Sequence, residues 1–320
     1  MTSVNTSIPQ AYPQSSLQMG GEQSGPFVEL TLVMVAGASL ILLGIMALLA
    51  FSFSHHDRIH ARLWLIGGGV LLPVGVLIAL FLYSESVRPA WKPIPPPDAL
   101  VVTVQGRMWW WEVSYHDAAS GQRFVTANEI RLPRGRPVYF ALTSQDVLHS
   151  FWIPALGGKM DMVPGRIEHL LLTPTVEGLW RGQCAEFCGT QHGLMALDVL
   201  VTSEHQFASW AQAQAQPAPA ASLDHPGRSA FLRHRCNACH DVRGLAEGSQ
   251  GSSAPRGPDL THVGGRLSLG AATLPNTPRD MQRWVNHTQE IKPGARMPSG
   301  EGRIPHSELE DIAAWLSSLR

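Results

Sequence analysis

The chain has 320 residues, which suggests about two domains, and its 24 basic residues nearly balance 25 acidic ones. A net charge of −1 offers no field for a polyanion, so nucleic acid is not a natural partner. The hydrophobic share of 44% does not by itself settle the class, and the order of the segments has to do so.

Residues 1–28 are polar, rich in Ser, Gln and Pro, and contain no Lys or Arg. They lack the basic start of a signal peptide and read as a mobile tail. Segment 29–84 holds two apolar runs. Residues 30–53 would extend about 36 Å as a helix and residues 63–83 about 31 Å, each enough to cross a hydrocarbon core and meet membrane lipid. The short loop 54–62 makes them an antiparallel hairpin with both ends on one side. Arg58 and Arg62 in the loop are matched by Arg88 and Lys92 after the second run, so the positive-inside count is tied. His55, His56 and His60 in that loop read as solvated residues. Residues 89–97, ending Pro93-Ile94-Pro95-Pro96-Pro97, read as a stiff extended spacer.

From residue 98 to 205 the pattern is of short β-type runs, at 100–105, 109–115, 123–126, 137–143, 167–173 and 195–202. Gly, Pro, Asn and Asp punctuate them, as in an all-β sandwich or small barrel. Within this region Cys184-Ala-Glu-Phe-Cys188-Gly-Thr-Gln-His192-Gly-Leu-Met195 gathers four soft or borderline donors in twelve residues, and His149 is the fifth. Two thiols, two imidazoles and a thioether select copper over magnesium or calcium. A mononuclear blue-copper site uses one thiolate, whereas this stretch carries two. Glu186 lies between them and offers a carbonyl and a carboxylate, both hard oxygen donors. The run Gly106-Arg107-Met108-Trp109-Trp110-Trp111 supplies aromatic area, with Trp109 and Trp110 expected on opposite faces.

Residues 210–223, including Ala-Gln repeats and two prolines, read as a flexible linker with a reach of about 20 Å. Residues 225–320 then carry Cys236-Asn237-Ala238-Cys239-His240, the C-x-x-C-H attachment sequence of a c-type haem. Cys236 and Cys239 would bond the haem and His240 would be its proximal ligand. Met297, in a Pro/Gly-rich loop, is the favoured sixth ligand over Met281, which sits in a helical stretch at 277–286. Helices are also expected at 227–235 and 307–319. The two motifs use all four cysteines, so none remains for a disulfide.

The Cys184–Met195 pattern with His149 resembles the dinuclear CuA centre in subunit II of haem-copper oxidases, and nearly all of the chain after residue 29 resembles a caa-type subunit II with a fused cytochrome c. The resemblance implies a multidomain fold: a two-helix transmembrane hairpin, a cupredoxin-like sandwich and an all-α class I cytochrome c domain. It implies that Trp109 is where electrons come in, that the Glu186 carbonyl binds one copper, and that its carboxylate helps hold magnesium or manganese against subunit I. Lys159-Met160-Asp161-Met162-Val163-Pro164-Gly165 is similar to the family's loop near that subunit, and Gly257-Pro258-Asp259-Leu260 to the loop packing on the proximal haem face.

By the same resemblance, electrons would pass from an external donor through haem c and dicopper to a haem in subunit I, where oxygen is reduced and protons are pumped. The donor would be cytochrome c, another periplasmic carrier or a quinol-oxidising complex. No residue of this chain is assigned a catalytic role. Haem attachment and copper loading occur outside the cytoplasm in such families, which puts both termini and both metal domains on the periplasmic face of the bacterial inner membrane. Two other readings use the same residues: a CuA-containing nitric oxide reductase, and a copper-delivery protein for oxidase assembly.

Overall fold

The computed structural model describes residues 14–54, 60–88, 94–219, 224–245 and 257–320. The first 13 residues of the expected tail, His55 and His56, Arg58, Lys92 at the start of the spacer, and linker residues 220–223 lie outside the described residues.

Helix α1 (Gly25–Ser54) is an uninterrupted apolar rod whose side chains face outward. A second helix, Leu63–Val87, begins as a π-type segment (Leu63–Leu71) and continues as α2 (Leu72–Val87). Pro73 stands at the start of α2. It lacks an N–H and crowds the carbonyl four residues back, and the wider turns just before it relieve that clash. Both helices are long and apolar enough to cross a membrane. Tyr83 Oη donates to Glu29 Oε1 at 2.7 Å and ties the hairpin together near one end.

The β region is a sandwich of two five-stranded sheets. One has the order β3-β2-β1-β5-β8, from β1 (Leu100–Arg107), β2 (Trp110–Asp117), β3 (Gln122–Ala127), β5 (Val138–Ser144) and β8 (Glu168–Leu172). The other has the order β4-β10-β9-β6-β7, from β4 (Glu129–Pro133), β6 (His149–Trp152), β7 (Met160–Met162), β9 (Gly178–Cys184) and β10 (Ala196–Thr202). Alternation along β1 and β2 turns Leu100, Val102, Val104, Trp111 and Val113 inward, where they meet Phe140 and Phe151. Each such side chain stabilises the fold by roughly 1.5–3 kcal/mol through burial.

Four strands escaped the sequence pattern. β6 and β7 span four and three residues, too few to establish a period of two. Glycines interrupt β9, and β4 follows β3 with only Asn128 between them. Trp109 was expected to open a strand, yet it occupies the turn between β1 and β2.

Two expectations about connecting segments need correction. Part of the supposed tail is docked: Gly20 N–H donates to Ala155 O at 2.8 Å, Glu22 N–H to Thr173 O at 3.0 Å, and Gln23 Oε1 accepts from Thr173 N–H at 2.7 Å. Such pairing to residues far along the chain leaves no local signature in composition. The linker begins inside helix α3 (Glu204–Gln214), whose start is fixed by Ser203 and Gln206 in a reciprocal cap. Phe207 and Ala211 bury one face of α3 against the sandwich, which extends the helix into the Ala/Gln repeat.

The C-terminal region is helical: α4 (Pro226–Arg233), α5 (Pro278–Asn286), α6 (Thr288–Ile291) and α7 (His306–Ser318), with a two-stranded ribbon β11 (Ser268–Leu269) and β12 (Leu274–Pro275). Phe231 of α4 packs edge-on against Trp315 of α7 at 5.0 Å. Met281, Ile312 and Leu316 complete the same core.

Candidate metal and haem sites

β6 and β9 are antiparallel neighbours, with Phe151 opposite Cys184. That register brings His149, two residues before Phe151, to the end of β9, where the Cys184–Met195 loop leaves the sheet. Cys184 N–H donates to Met195 O at 2.9 Å and closes the loop at its neck. The predicted donors therefore converge. Cys184 Sγ lies 3.8 Å from Cys188 Sγ and 3.8 Å from His149 Nδ1, while Cys188 Sγ lies 3.7 Å from His192 Nδ1 and 3.8 Å from Met195 Sδ. The Glu186 carbonyl is 3.2 Å from Cys184 Sγ.

These spacings fit a metal. Metal–sulfur bonds of about 2.3 Å in a tetrahedral shell put neighbouring donors about 3.8 Å apart. Cys188, with His149 beside the pair, holds the Cys184 thiol far below its ordinary value, while Cys184 and burial hold Cys188 far above it. Both cysteines are free and buried.

Two residues that sequence reasoning passed over shape this centre. Asp146 Oδ1 is 2.9 Å from His149 Nε2, which leaves Nδ1 directed at Cys184 and fixes the ring. Asp146 also accepts the Met108 N–H at 2.8 Å. Gly106 of β1 is the second: a Cβ there would lie 2.7 Å from His149 Cδ2, so only glycine admits the imidazole. The carboxylate three residues before His149 was the available signal for Asp146, whereas nothing local marked Gly106.

Trp109 projects from the β1–β2 turn, and its indole Nε1–H donates to the Cys188 carbonyl at 2.8 Å. Trp110, expected on the opposite face, stays outside the sandwich core. It stacks under the Arg107 guanidinium at 5.5 Å and lines the cavity described next, while Trp111 is the tryptophan that fills the core. The Glu186 carboxylate is half-exposed, 3.8 Å from Lys159 Nζ, and Phe187 beside it is exposed.

A cavity of about 790 Å³ lies in the C-terminal domain, lined by Cys236, Cys239, His240, Met281 and Met297 and bordered by Trp109. His240 Nδ1 is 2.8 Å from the Pro258 carbonyl, which directs Nε2 away from that loop. Burial lowers His240 from its ordinary value, favouring the neutral form that binds iron. A Cβ on Gly257 would sit 2.7 Å from His240 Cε1, so this loop approaches the ring as glycine alone permits. Burial pushes the Cys236 thiol up to about 11. Arg266 also lines the cavity, and its Nε finds no acceptor among the described residues; it suits a haem carboxylate.

Both candidate methionines reach the cavity. Met281 is packed in the core from α5, whereas Met297 is carried by a loop that Gln289 shapes, its Nε2 donating to the carbonyls of Ala295 and Met297, each at 2.7 Å. Sequence gave no sign of Gln289 or Arg266.

Fold and sites together define a membrane-anchored electron-transfer protein with one copper module and one c-type haem module. Residues 100–203 match the family described as cytochrome c oxidase subunit II, periplasmic domain, and residues 225–320 match the cytochrome c family. Cytochrome c oxidase subunit 2 of Alkalihalophilus pseudofirmus is 31% identical over 78% of this chain and 69% of that protein. Its counterpart from Bacillus subtilis is 30% identical over 78% of this chain and 72% of that protein. The solved periplasmic domain of subunit II from Bradyrhizobium japonicum is 28% identical, covering 38% of this chain and 96% of that chain at a TM-score of 0.35. The chain belongs to the cytochrome c oxidase subunit 2 family and carries a fused cytochrome c domain. It is an oxidoreductase subunit of the inner membrane that works with other oxidase subunits and, by its two domains, with copper and haem c.

Proposed function

We propose that this subunit takes electrons into a terminal oxidase, from a c-type haem in residues 225–320 to a dicopper centre in residues 98–205 and on to subunit I, where oxygen is reduced and protons are moved. The observation that carries this reading is Trp109, which borders the haem cavity and also donates to the carbonyl of Cys188. One side chain thus touches both sites.

His149, Cys184, Cys188, His192, Met195 and the Glu186 carbonyl would hold the coppers, and Cys236, Cys239, His240 and Met297 the haem. A copper pair and a haem held by these residues would each supply one-electron transfer. The residues contribute rigidity and shielding. Asp146 locks His149, the β9–β10 neck holds both ends of the ligand loop, and His149, Cys184, Cys188 and Met195 are buried. The half-exposed Glu186 carboxylate, beside exposed Phe187, is suited to a magnesium or manganese ion shared with subunit I. Both termini and both metal domains lie on the periplasmic face in this reading, and a periplasmic carrier such as a cytochrome c delivers the electrons.

The test is oxygen and nitric oxide uptake by the purified complex fed a chemical reductant, comparing wild type with Cys188→Ser. Oxygen uptake that disappears in the variant, with haem bands intact, supports the route. Nitric oxide turnover with little oxygen uptake moves the complex to the reductase class, and oxygen uptake unchanged in Cys188→Ser overturns the path through copper.

A further inference from the structure

Arginine is this chain's ordinary cation: of 24 basic residues, only Lys92, Lys159 and Lys292 are lysines. Lys292 opens the loop that carries Met297 and borders the haem cavity, yet its Nζ turns to backbone carbonyls. It is buried, with 3% of its surface exposed. Its Nζ lies 2.7 Å from Trp109 O, 2.8 Å from Leu194 O and 3.1 Å from Gly270 O. An ammonium has three donors and no acceptor, so three carbonyls satisfy it completely. The planar fork of an arginine could not converge its donors on one point in this way.

The carbonyls belong to different domains. Gly270 lies in the haem domain, whereas in the copper domain Trp109 lies in the β1–β2 turn and Leu194 within the ligand loop, next to Met195. The neighbouring residues extend the contact: Gln191 Nε2 donates to Pro293 O at 2.7 Å, and a Cβ on Gly294 would stand 3.6 Å from the Trp109 ring.

Resting on the electron route proposed above, we propose that Lys292 is a docking pin, a positioning residue that fastens the haem loop to the Trp109 face of the copper domain. The surface through which copper would accept electrons is then occupied by the chain's own haem domain. Among the described residues the Lys292 Nζ meets three carbonyl oxygens and no carboxylate, so the contact is directional and less sensitive to salt than a surface ion pair. A methionine at this position would match the volume while leaving Trp109 O and Leu194 O without their donor.

The full-length, metal-loaded protein is treated with an amine-acetylating reagent, and modification is followed at each lysine. Lys159, whose side chain is 46% exposed, provides the internal standard. Lys292 is expected to react at least tenfold more slowly; equal rates overturn the proposal, and this readout needs no variant. Haem-to-copper electron transfer after flash reduction is then compared between wild type and Lys292→Met. The expected result is a rate at least tenfold lower in the variant, with haem and copper absorption and the rate of haem reduction unchanged. Equal transfer rates overturn the pin alone. Absence of transfer in wild type overturns the electron route on which it rests.

Discussion

The copper domain and the haem domain solve the same problem, holding a redox group, in opposite ways. In the copper domain the donors already touch: sulfur and nitrogen atoms from one loop and one strand stand 3.7–3.8 Å apart over a sandwich core that is complete without metal. In the haem domain the donors surround a cavity of about 790 Å³, and the space belongs to the group itself. The difference teaches that copper would join donors the fold already gathers, whereas haem would supply part of its own domain's core.

The largest consequence falls on the haem domain. Without haem the apolar lining of that cavity loses the packing partner that completes the domain's core, and lost packing of this kind costs more the larger the space left unfilled. Replacing both Cys236 and Cys239 by Ala should therefore leave residues 225–320 open to limited proteolysis while residues 98–205 stay resistant. An unattached haem domain as resistant as wild type breaks the comparison.

A smaller effect concerns Asp198, which sits in β10 beneath the haem domain and accepts a hydrogen bond from Ser268 Oγ. Burial raises its carboxyl to about 6 from an ordinary 3.8, so between these values the folded state binds more protons than the unfolded one. Stability linked to Asp198 is greatest below about pH 4, falls as pH rises to about 6 and is level above, a change on the order of 3 kcal/mol. Asp198→Asn should flatten this part of the melting-temperature profile of the copper domain; a slope unchanged in the variant assigns it to another group.

Asp146→Asn tests whether the preformed copper site depends on the carboxylate behind His149. Loss of such a partner weakens metal binding by roughly 10–100-fold, read by titrating copper against a competing chelator. Haem absorption should not move, and affinity equal to wild type would mean that the strand alone orients His149. The smallest expected change is at the cap of α3, where Ser203→Ala should cost about 1 kcal/mol, measured as a lower melting temperature of the copper domain with both metal sites spectroscopically unaltered.

Sequence alone determined which candidate donors are present and how they are spaced. The Cys184–Met195 stretch, the C-x-x-C-H motif and the two apolar runs are local patterns, and local spacing dictates them because ligands on one loop or apolar residues along one helix must recur within a few positions. His149 was legible as a fifth donor only because the other four demanded a partner. Tertiary structure decided what supports those groups. Asp146 and Gly106 matter because register sets them against His149, Gln289 because its amide spans a loop, and Arg266 because it borders a cavity formed by segments far apart in the chain. The docked residues 20–23 and Lys292 belong with them. Each acts through a contact between segments distant in sequence, and side chains that serve such contacts carry no period or spacing by which the linear order could announce them.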